Sequence, residues 1–279
     1  MGVRFPPPAP STSRIAHRMA SREILSRSLT IVVGAVGIFS VAALLGRWHW
    51  IPDGLSHFVA QYALLTALAS IGLLGCRRLG WAAAAAATCA FQVVQLSPYL
   101  PSIDSSSIDA PSFTLFQFNV GAKSETLDTL PDWLEARAEE LDVVVLFEVD
   151  TEWKNAVAEL AGLFPVDASV LRDDPFGVAV FTRLPRASAR ITHTDPHQFP
   201  TIVVTVAGDQ TWPHITILAT HSPAPDSGAA WTNRNRHFRA IADVVVGQPG
   251  EVLLVGDLNT TMWSPWFRDF TERSGLRDA

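Results

Sequence analysis

The sequence predicts an α/β domain, two β-sheets packed face to face with helices outside, standing behind three membrane-spanning helices. Three observations lead there. Residues 28–98 contain long stretches with no Asp, Glu, Lys or Arg; from Phe113 onward short runs of β-branched and leucine residues outnumber the helical patterns; and clusters of Pro and Gly separate those runs. The 279 residues suffice for one large or two modest domains. Hydrophobic residues make up 48% and charged ones only 17%, a balance tilted towards a membrane protein.

Residues 1–27 are rich in Pro, Ser and Arg, with PPPAP at Pro6 to Pro10, and are expected to form a disordered basic leader. Charge-free stretches then run between Arg27 and Arg47, from Gly54 to Cys76 and from Leu79 to Ile103. Each accommodates the roughly 20 apolar residues that cross a bilayer, which places helices near 28–46, 56–75 and 79–98. Basic residues cluster before the first helix (Arg14, Arg18, Arg22, Arg27) and between the second and third (Arg77, Arg78), whereas the first loop has only Arg47 and nothing basic follows the third until Lys123. The N-terminus is therefore expected in the cytoplasm and the C-terminal domain outside it, in a multi-pass protein of an inner or plasma membrane. Trp48, Trp50 and Tyr99 fall at the expected membrane edges, where amphipathic rings are favoured. Both cysteines, Cys76 and Cys89, lie in the membrane part, so an exported domain from 113 onward needs no disulfide chemistry.

Residues 99–112, polar and rich in Ser and Pro, read as a linker. Beyond it, Leu127, Leu130, Leu134 and Ala138 are spaced as an amphipathic helix requires, which predicts a helix over 127–140 with Pro131 tolerated near its start. Helices are also expected over 151–162, 231–246 and 265–273, the last capped by Ser264. Strands are expected at 113–120, 142–149, 164–170, 177–182, 187–192, 201–206, 214–220 and 251–256.

Four of these apolar runs end in residues able to do chemistry. FTLFQFNV carries Asn119, DVVVLFEV carries Glu148, HITILATH ends in His221, and EVLLVGDLN delivers Asp257 and Asn259. Side by side, such strand ends form one polar cluster on a rigid apolar platform. With GVAVFTR at 177–183, THSPAP at 220–225 and GDLNTTMWSPWF at 256–267, the series resembles the endonuclease/exonuclease/phosphatase superfamily of metal-dependent phosphoesterases, in the family's own order over 113–279. The resemblance implies a four-layer α/β sandwich of two mostly antiparallel sheets flanked by helices. It also implies a divalent cofactor, Mg²⁺ or Mn²⁺, held by Glu148 with Asn119 alongside, since a hard cation takes oxygen ligands from one or two carboxylates plus water and substrate phosphate.

The other roles follow from chemistry that family members place at the matching positions. Asp257 would orient or deprotonate the attacking water, and the Asn259 amide would donate to a phosphoryl oxygen without adding charge. His221 would stabilise the pentacoordinate phosphorus or protonate the leaving oxygen, as a residue titrating near neutrality can. Arg234 and Arg236, in WTNRNRHF, are candidates for clamping a substrate phosphate through paired N–H donors. His193, His197, His214 and His237 lack such a context and are expected at the surface or in packing.

Two departures from the family stand out. Phe147 precedes Glu148 where the family commonly has glutamine. The family also has two more strands after GDLN, bearing an aspartate and then an aspartate–histidine pair, whereas this sequence stops at Ala279; the domain is expected to be incomplete at its C-terminus. The rival expectation is a catalytically crippled membrane protein whose domain serves as a binding or scaffold module. Over 113–279 there are 13 Lys and Arg against 23 Asp and Glu, a net of −10. Nucleic-acid binders rely on a basic footprint, so a lipid head group or a small phosphoester is the preferred substrate over nucleic acid, with the bilayer as the other partner.

Overall fold

The computed structural model describes residues 12–99, 112–121, 127, 129–193, 199–210 and 212–278, with side chains described from residue 19. Pro6 to Pro10, His197 and nearly all of the expected linker lie outside those residues. The chain divides into two compact units, one up to Pro101 and one from Ser102.

The first unit is helical: α1 (Thr12–Ala43), α2 (Trp50–Ser56), α3 (Val59–Gly75) and α4 (Leu79–Leu96). The first helix begins at Thr12, within the segment expected as a leader. After Pro10 the leader contains neither Pro nor Gly, and its Arg, Ala, Met, Leu and Glu residues are good helix formers. Among the described residues two helical segments are long and apolar enough to cross a membrane, Met19–Ala43 and Leu79–Tyr99. The expected span at 56–75 falls on a pair, α2 and α3, bent by 59° at a short break, so among the described residues the count is two, or three if the pair acts as one. The residues that face inward here are small: Ala69, Ala82 and Ala85 pack with Val33 and Leu73. Large apolar side chains such as Ile31, Ile38, Leu64, Leu68 and Val94 face outward. Small residues let helix backbones approach closely, while apolar groups turned outward suit a lipid environment. Within the weakly hydrophobic run Ala82–Ala87, Ala82 and Ala85 supply packing surface and the other four are exposed.

The second unit contains β1 (Leu115–Asn119), α5 (Leu130–Glu135), β2 (Val143–Phe147), α6 (Lys154–Ala161), β3 (Val166–Val170), β4 (Val178–Thr182), β5 (Ala187–His193), β6 (Pro200–Val206), β7 (Ile215–His221), α7 (Gly228–Val246), β8 (Glu251–Asp257) and α8 (Pro265–Ser274). The expected helix over 127–140 is reduced to α5 and a 3₁₀ turn at Ala138–Glu140, because Pro131 sits in the first turn and fixes a late start. Ser264 caps α8 as expected, its Oγ accepting the Trp266 N–H at 3.2 Å.

Two mixed sheets result, ordered β1-β2-β4-β3 and β5-β6-β7-β8. They share a core in which Val143, Val145, Phe147, Val178 and Val180 meet Ile202, Val204, Ile217 and Ala219. The alternate residues Val144, Leu146, Ala179 and Phe181 pack instead on Leu134, Trp153, Val157 and Leu160, from the segments around α5 and α6. On the far side, Val203 and Leu218 lie under Phe238, Ile241, Ala242 and Phe270 of α7 and α8. The central strands are covered on both faces, so their sequences are continuously apolar rather than alternating.

Candidate active site

Each sheet contains one parallel ladder, β1 with β2 and β7 with β8. Parallel partners finish at the same edge of the sheet, and the registers pair Asn119 with Phe147 and His221 with Asp257. Glu148 and Asn259, just past the ends of β2 and β8, adopt left-handed backbone at φ +61° and +48°. For Asn the conformation is tolerable, whereas for Glu it costs roughly 1–2 kcal/mol. The turn at Glu148 lets Phe147 enter the core, almost fully buried, while the next side chain joins the polar cluster.

Neighbouring backbones fix these turns. Glu148 N–H donates to the Gly177 carbonyl at 2.8 Å. A Cβ on Gly177 would lie 1.9 Å from the Val149 oxygen, so no other residue fits. Gly256 plays the same part between β7 and β8, where a Cβ would come within 2.1 Å of the Thr220 oxygen. Asp257 Oδ1 accepts the Asn259 N–H at 2.9 Å, closing an Asx turn.

All five strand-end residues come together. Asn119 Nδ2 donates to Glu148 Oε1 at 2.7 Å, and Asn119 Oδ1 accepts the Gly121 N–H at 3.0 Å. His221 is 4% exposed, and its Nε2 lies 4.0 Å from Glu148 Oε1 and 3.8 Å from Asp257 Oδ2. Asn259 Nδ2 has two hydrogens and both are placed, one towards His221 Nε2 at 3.1 Å and one to the Ser222 carbonyl at 2.8 Å. The aromatic rings of Phe147 and Phe176 wall the imidazole, with centroids 6.2 and 5.7 Å away. Where a glutamine would have offered a polar group, Phe147 offers an apolar one.

The two arginines separate. Arg236 is exposed on α7, while Arg234 has no exposed surface at all. The Arg234 guanidinium donates through Nε (3.1 Å) and Nη2 (2.8 Å) to Asn235 Oδ1, reaches the Asn259 carbonyl at 3.4 Å, and lies over the Phe238 ring. In that position it braces the Asn259 turn from within rather than presenting its N–H groups to a phosphate. Helical spacing carried this signal: Arg234, His237, Phe238, Ile241, Ala242 and Val245 share the buried face of α7, and Arg236 does not.

Residues outside the expected set also take part. His237, expected at the surface or in packing, is fully buried and shares a 2.9 Å hydrogen bond with Thr220 Oγ1, beside His221. His221 Nδ1 contacts the Pro175 carbonyl at 2.6 Å, in a turn that no strand-end pattern points to. There Arg172 pairs with Asp174. Its hydrogen bonds hold the Asp174 carboxyl below the usual carboxylate range, assisted by the Phe176 N–H and opposed by burial, and the same pairing raises the Arg172 guanidinium.

Two carboxylates, two carboxamides and a histidine converge on rigid strand ends. A sequence profile described as "Endonuclease/Exonuclease/phosphatase family" matches residues 116–278, well over half of the chain, and the protein belongs to that family. Family membership points to phosphoester hydrolysis, and members are generally dependent on a divalent metal. A comparison with curated protein sequences gives no match. Among solved structures, sphingomyelinase C from Streptomyces griseocarneus aligns at 22% identity over 61% of this chain and 72% of its own, with a TM-score of 0.46. A β-hairpin deletion mutant of beta toxin from Staphylococcus aureus aligns at 18% identity over 60% and 74%, with a TM-score of 0.47. The human Nocturnin catalytic domain aligns at 16% identity over 59% and 71%, also with a TM-score of 0.47.

Proposed function

We propose that this chain is a membrane-anchored, divalent-metal-dependent phosphoesterase that hydrolyses phosphodiester or phosphomonoester bonds with an activated water. The observation that carries the reading is the placement of Glu148 and Asp257 near His221 Nε2, at 4.0 and 3.8 Å. The donor set fits a hard cation such as Mg²⁺ or Mn²⁺, being made of carboxylate and carboxamide oxygens without sulfur. Glu148 would hold the ion. Asn119, whose oxygen faces the Gly121 N–H while its nitrogen faces Glu148, would orient that carboxylate. A bound cation would supply charge neutralisation at the phosphoryl oxygens.

The protein's own groups divide the remaining work. Asp257 orients or deprotonates the attacking water. In the neutral state His221 Nε2 accepts from Asn259 Nδ2; once protonated it cannot, and that amide hydrogen becomes available to a phosphoryl oxygen while the new N–H serves the leaving oxygen. Arg236 is the exposed candidate for gripping a substrate phosphate. The net charge of −10 over 113–279 favours a lipid head group or small phosphoester over a nucleic acid.

The purified full chain should hydrolyse a chromogenic phosphodiester in the presence of Mg²⁺ or Mn²⁺, stop on chelation, and lose activity in Glu148→Ala and in Asp257→Ala. Unchanged rates in both variants would sink the assignment. Retained ligand binding without turnover by the wild-type chain would instead support a binding module. The arginine distribution around the apolar helices supports a cytoplasmic N-terminus and an extracytoplasmic domain. Protease added to intact cells should then digest the domain from 113 onward, and complete protection would reverse the proposed orientation.

A further inference from the structure

Resting on the phosphoesterase reading of this site, we propose that the turn over residues 172–177, held by the Arg172–Asp174 pair, is the positioning element for His221 and sets which ring nitrogen faces the reacting atoms. The turn spans both halves of the site. At one end the Arg172 N–H donates to the Val149 carbonyl at 3.1 Å and the Gly177 carbonyl accepts from Glu148 N–H at 2.8 Å, so the turn is fastened to the strand end that carries Glu148. In its middle the Pro175 carbonyl meets His221 Nδ1 at 2.6 Å. A carbonyl oxygen can only accept, so this contact keeps a proton on Nδ1 and leaves Nε2 as the lone-pair nitrogen directed at Asn259, Glu148 and Asp257.

The carbonyl can do this only if the turn holds its shape, and the turn is built to hold it. Asp174 Oδ1 accepts the Phe176 N–H at 3.1 Å, closing an Asx turn around Pro175, whose ring fixes its own φ. The same carboxylate receives Arg172 through Nε at 2.7 Å and through Nη2, a two-pronged contact that a lysine could not reproduce. Thr151 Oγ1 adds a bond to Asp173 Oδ1 at 2.7 Å. The Phe176 ring also packs, tilted, against Phe199 at 4.4 Å and His221 at 5.7 Å between centroids. The pairing lowers the Asp174 pKa, so the carboxylate stays charged to lower pH than an unpaired aspartate would.

Both nitrogens of His221 can be observed in long-range ¹H–¹⁵N spectra of the full chain labelled with ¹⁵N-histidine in detergent micelles. Spectra are recorded above about pH 8, where histidine is ordinarily neutral, and His221 is assigned by its loss in His221→Gln. The wild type should carry its proton on Nδ1. In Asp174→Ala the proton should redistribute towards Nε2, and kcat for a chromogenic phosphodiester should fall about ten-fold with KM within about two-fold, as expected when a reacting group is misplaced but substrate contacts are kept. Asp174→Asn, which retains an oxygen for the Phe176 N–H but loses the charged contact with Arg172, should move the tautomer and kcat in the same direction by a smaller amount. If Asp174→Ala does not fold, Arg172→Gln removes the ion pair while leaving the Asx turn and carries the same two readouts. A wild-type Nε2–H tautomer, or a folded Asp174→Ala with unmoved tautomer and unchanged kcat, overturns the proposal. Absence of any hydrolysis by the wild type would defeat the phosphoesterase reading while the tautomer measurement still decides on the turn. An unmoved tautomer, in a protein whose activity Glu148→Ala abolishes, defeats the turn alone.

Discussion

The left-handed backbone at Glu148 makes a prediction whose sign runs against ordinary experience. Replacing a residue by glycine inside or beside a strand normally costs about 0.5–1 kcal/mol relative to alanine, because glycine loses more freedom on folding. At φ +61°, however, any residue with a Cβ bears a steric cost of roughly 1–2 kcal/mol that glycine escapes. Glu148→Gly and Glu148→Ala both remove the same carboxylate and the same 2.7 Å bond from Asn119, so those losses cancel between them. What remains is the steric relief less the entropic penalty, about 0.5–1 kcal/mol in favour of glycine. For a domain of this size that is about 2 °C in Tm. Both variants should be inactive, yet the glycine variant should melt above the alanine variant when unfolding in detergent is followed by tryptophan fluorescence. Gln117, exposed on β1 with negative φ, provides the control: there glycine should melt below alanine. A glycine variant at 148 that melts below its alanine partner would show that the strand end is not held in the left-handed turn and would remove the reason for Glu148 facing the site.

Other perturbations separate the supports of the site from its reacting groups. Gly177→Ala and Gly256→Ala place a Cβ 1.9 and 2.1 Å from backbone oxygens, so each should lose on the order of 1–3 kcal/mol of stability together with most hydrolysis, seen as a lower melting point and a lower kcat. Arg234→Ala should destabilise by about 3 kcal/mol, since it leaves Asn235 Oδ1 and the Asn259 carbonyl without their buried donor. Arg236→Ala should leave the melting point alone and raise KM; equal effects of the two on stability would contradict their different burial. The lowered Asp174 pKa has a signed consequence: the clamp contributes stability above the ordinary aspartate range and loses it as pH falls through the lowered folded value. The gap in Tm between wild type and Asp174→Asn should therefore be constant from neutral pH down to about 5 and close below about 4.

How much of this was legible in the sequence depended on whether the cause is local. The strands were, because continuous runs such as Val143 to Phe147 are apolar on both faces and too short for helices. The convergence of Asn119, Glu148, His221, Asp257 and Asn259 was, because each stands at or just beyond the end of such a run. The two-faced packing that makes the run visible also makes its first polar residue conspicuous. The helix over 127–140 was overextended because periodicity reports a face and not where hydrogen bonding stops. The bend between α2 and α3 left no mark, since charge-free residues read alike whether straight or broken. The Pro175 contact was invisible for a different reason, joining residues 46 apart through a backbone atom that no side-chain pattern encodes. The burial of Arg234 was legible in its place on the apolar stripe of α7, a signal its charge outweighed.

The topology explains why these particular strands carry the chemistry. β3 through β6 have only antiparallel neighbours within their sheets. An antiparallel partner brings a strand's end beside the other strand's beginning, so two C-terminal ends do not meet. β1 with β2, and β7 with β8, are the parallel ladders, and every one of Asn119, Glu148, His221 and Asp257 sits at or one residue beyond the end of a strand in those two ladders. Parallel pairing within each sheet supplies two ends at one edge, and face-to-face packing of the sheets brings the two edges together. His193, which ends β5 in an antiparallel ladder opposite Pro200, has the same kind of side chain at the same kind of position and remains an exposed histidine. The direction of the partner strand, rather than the identity of the terminal residue, is what turns a strand end into part of a site.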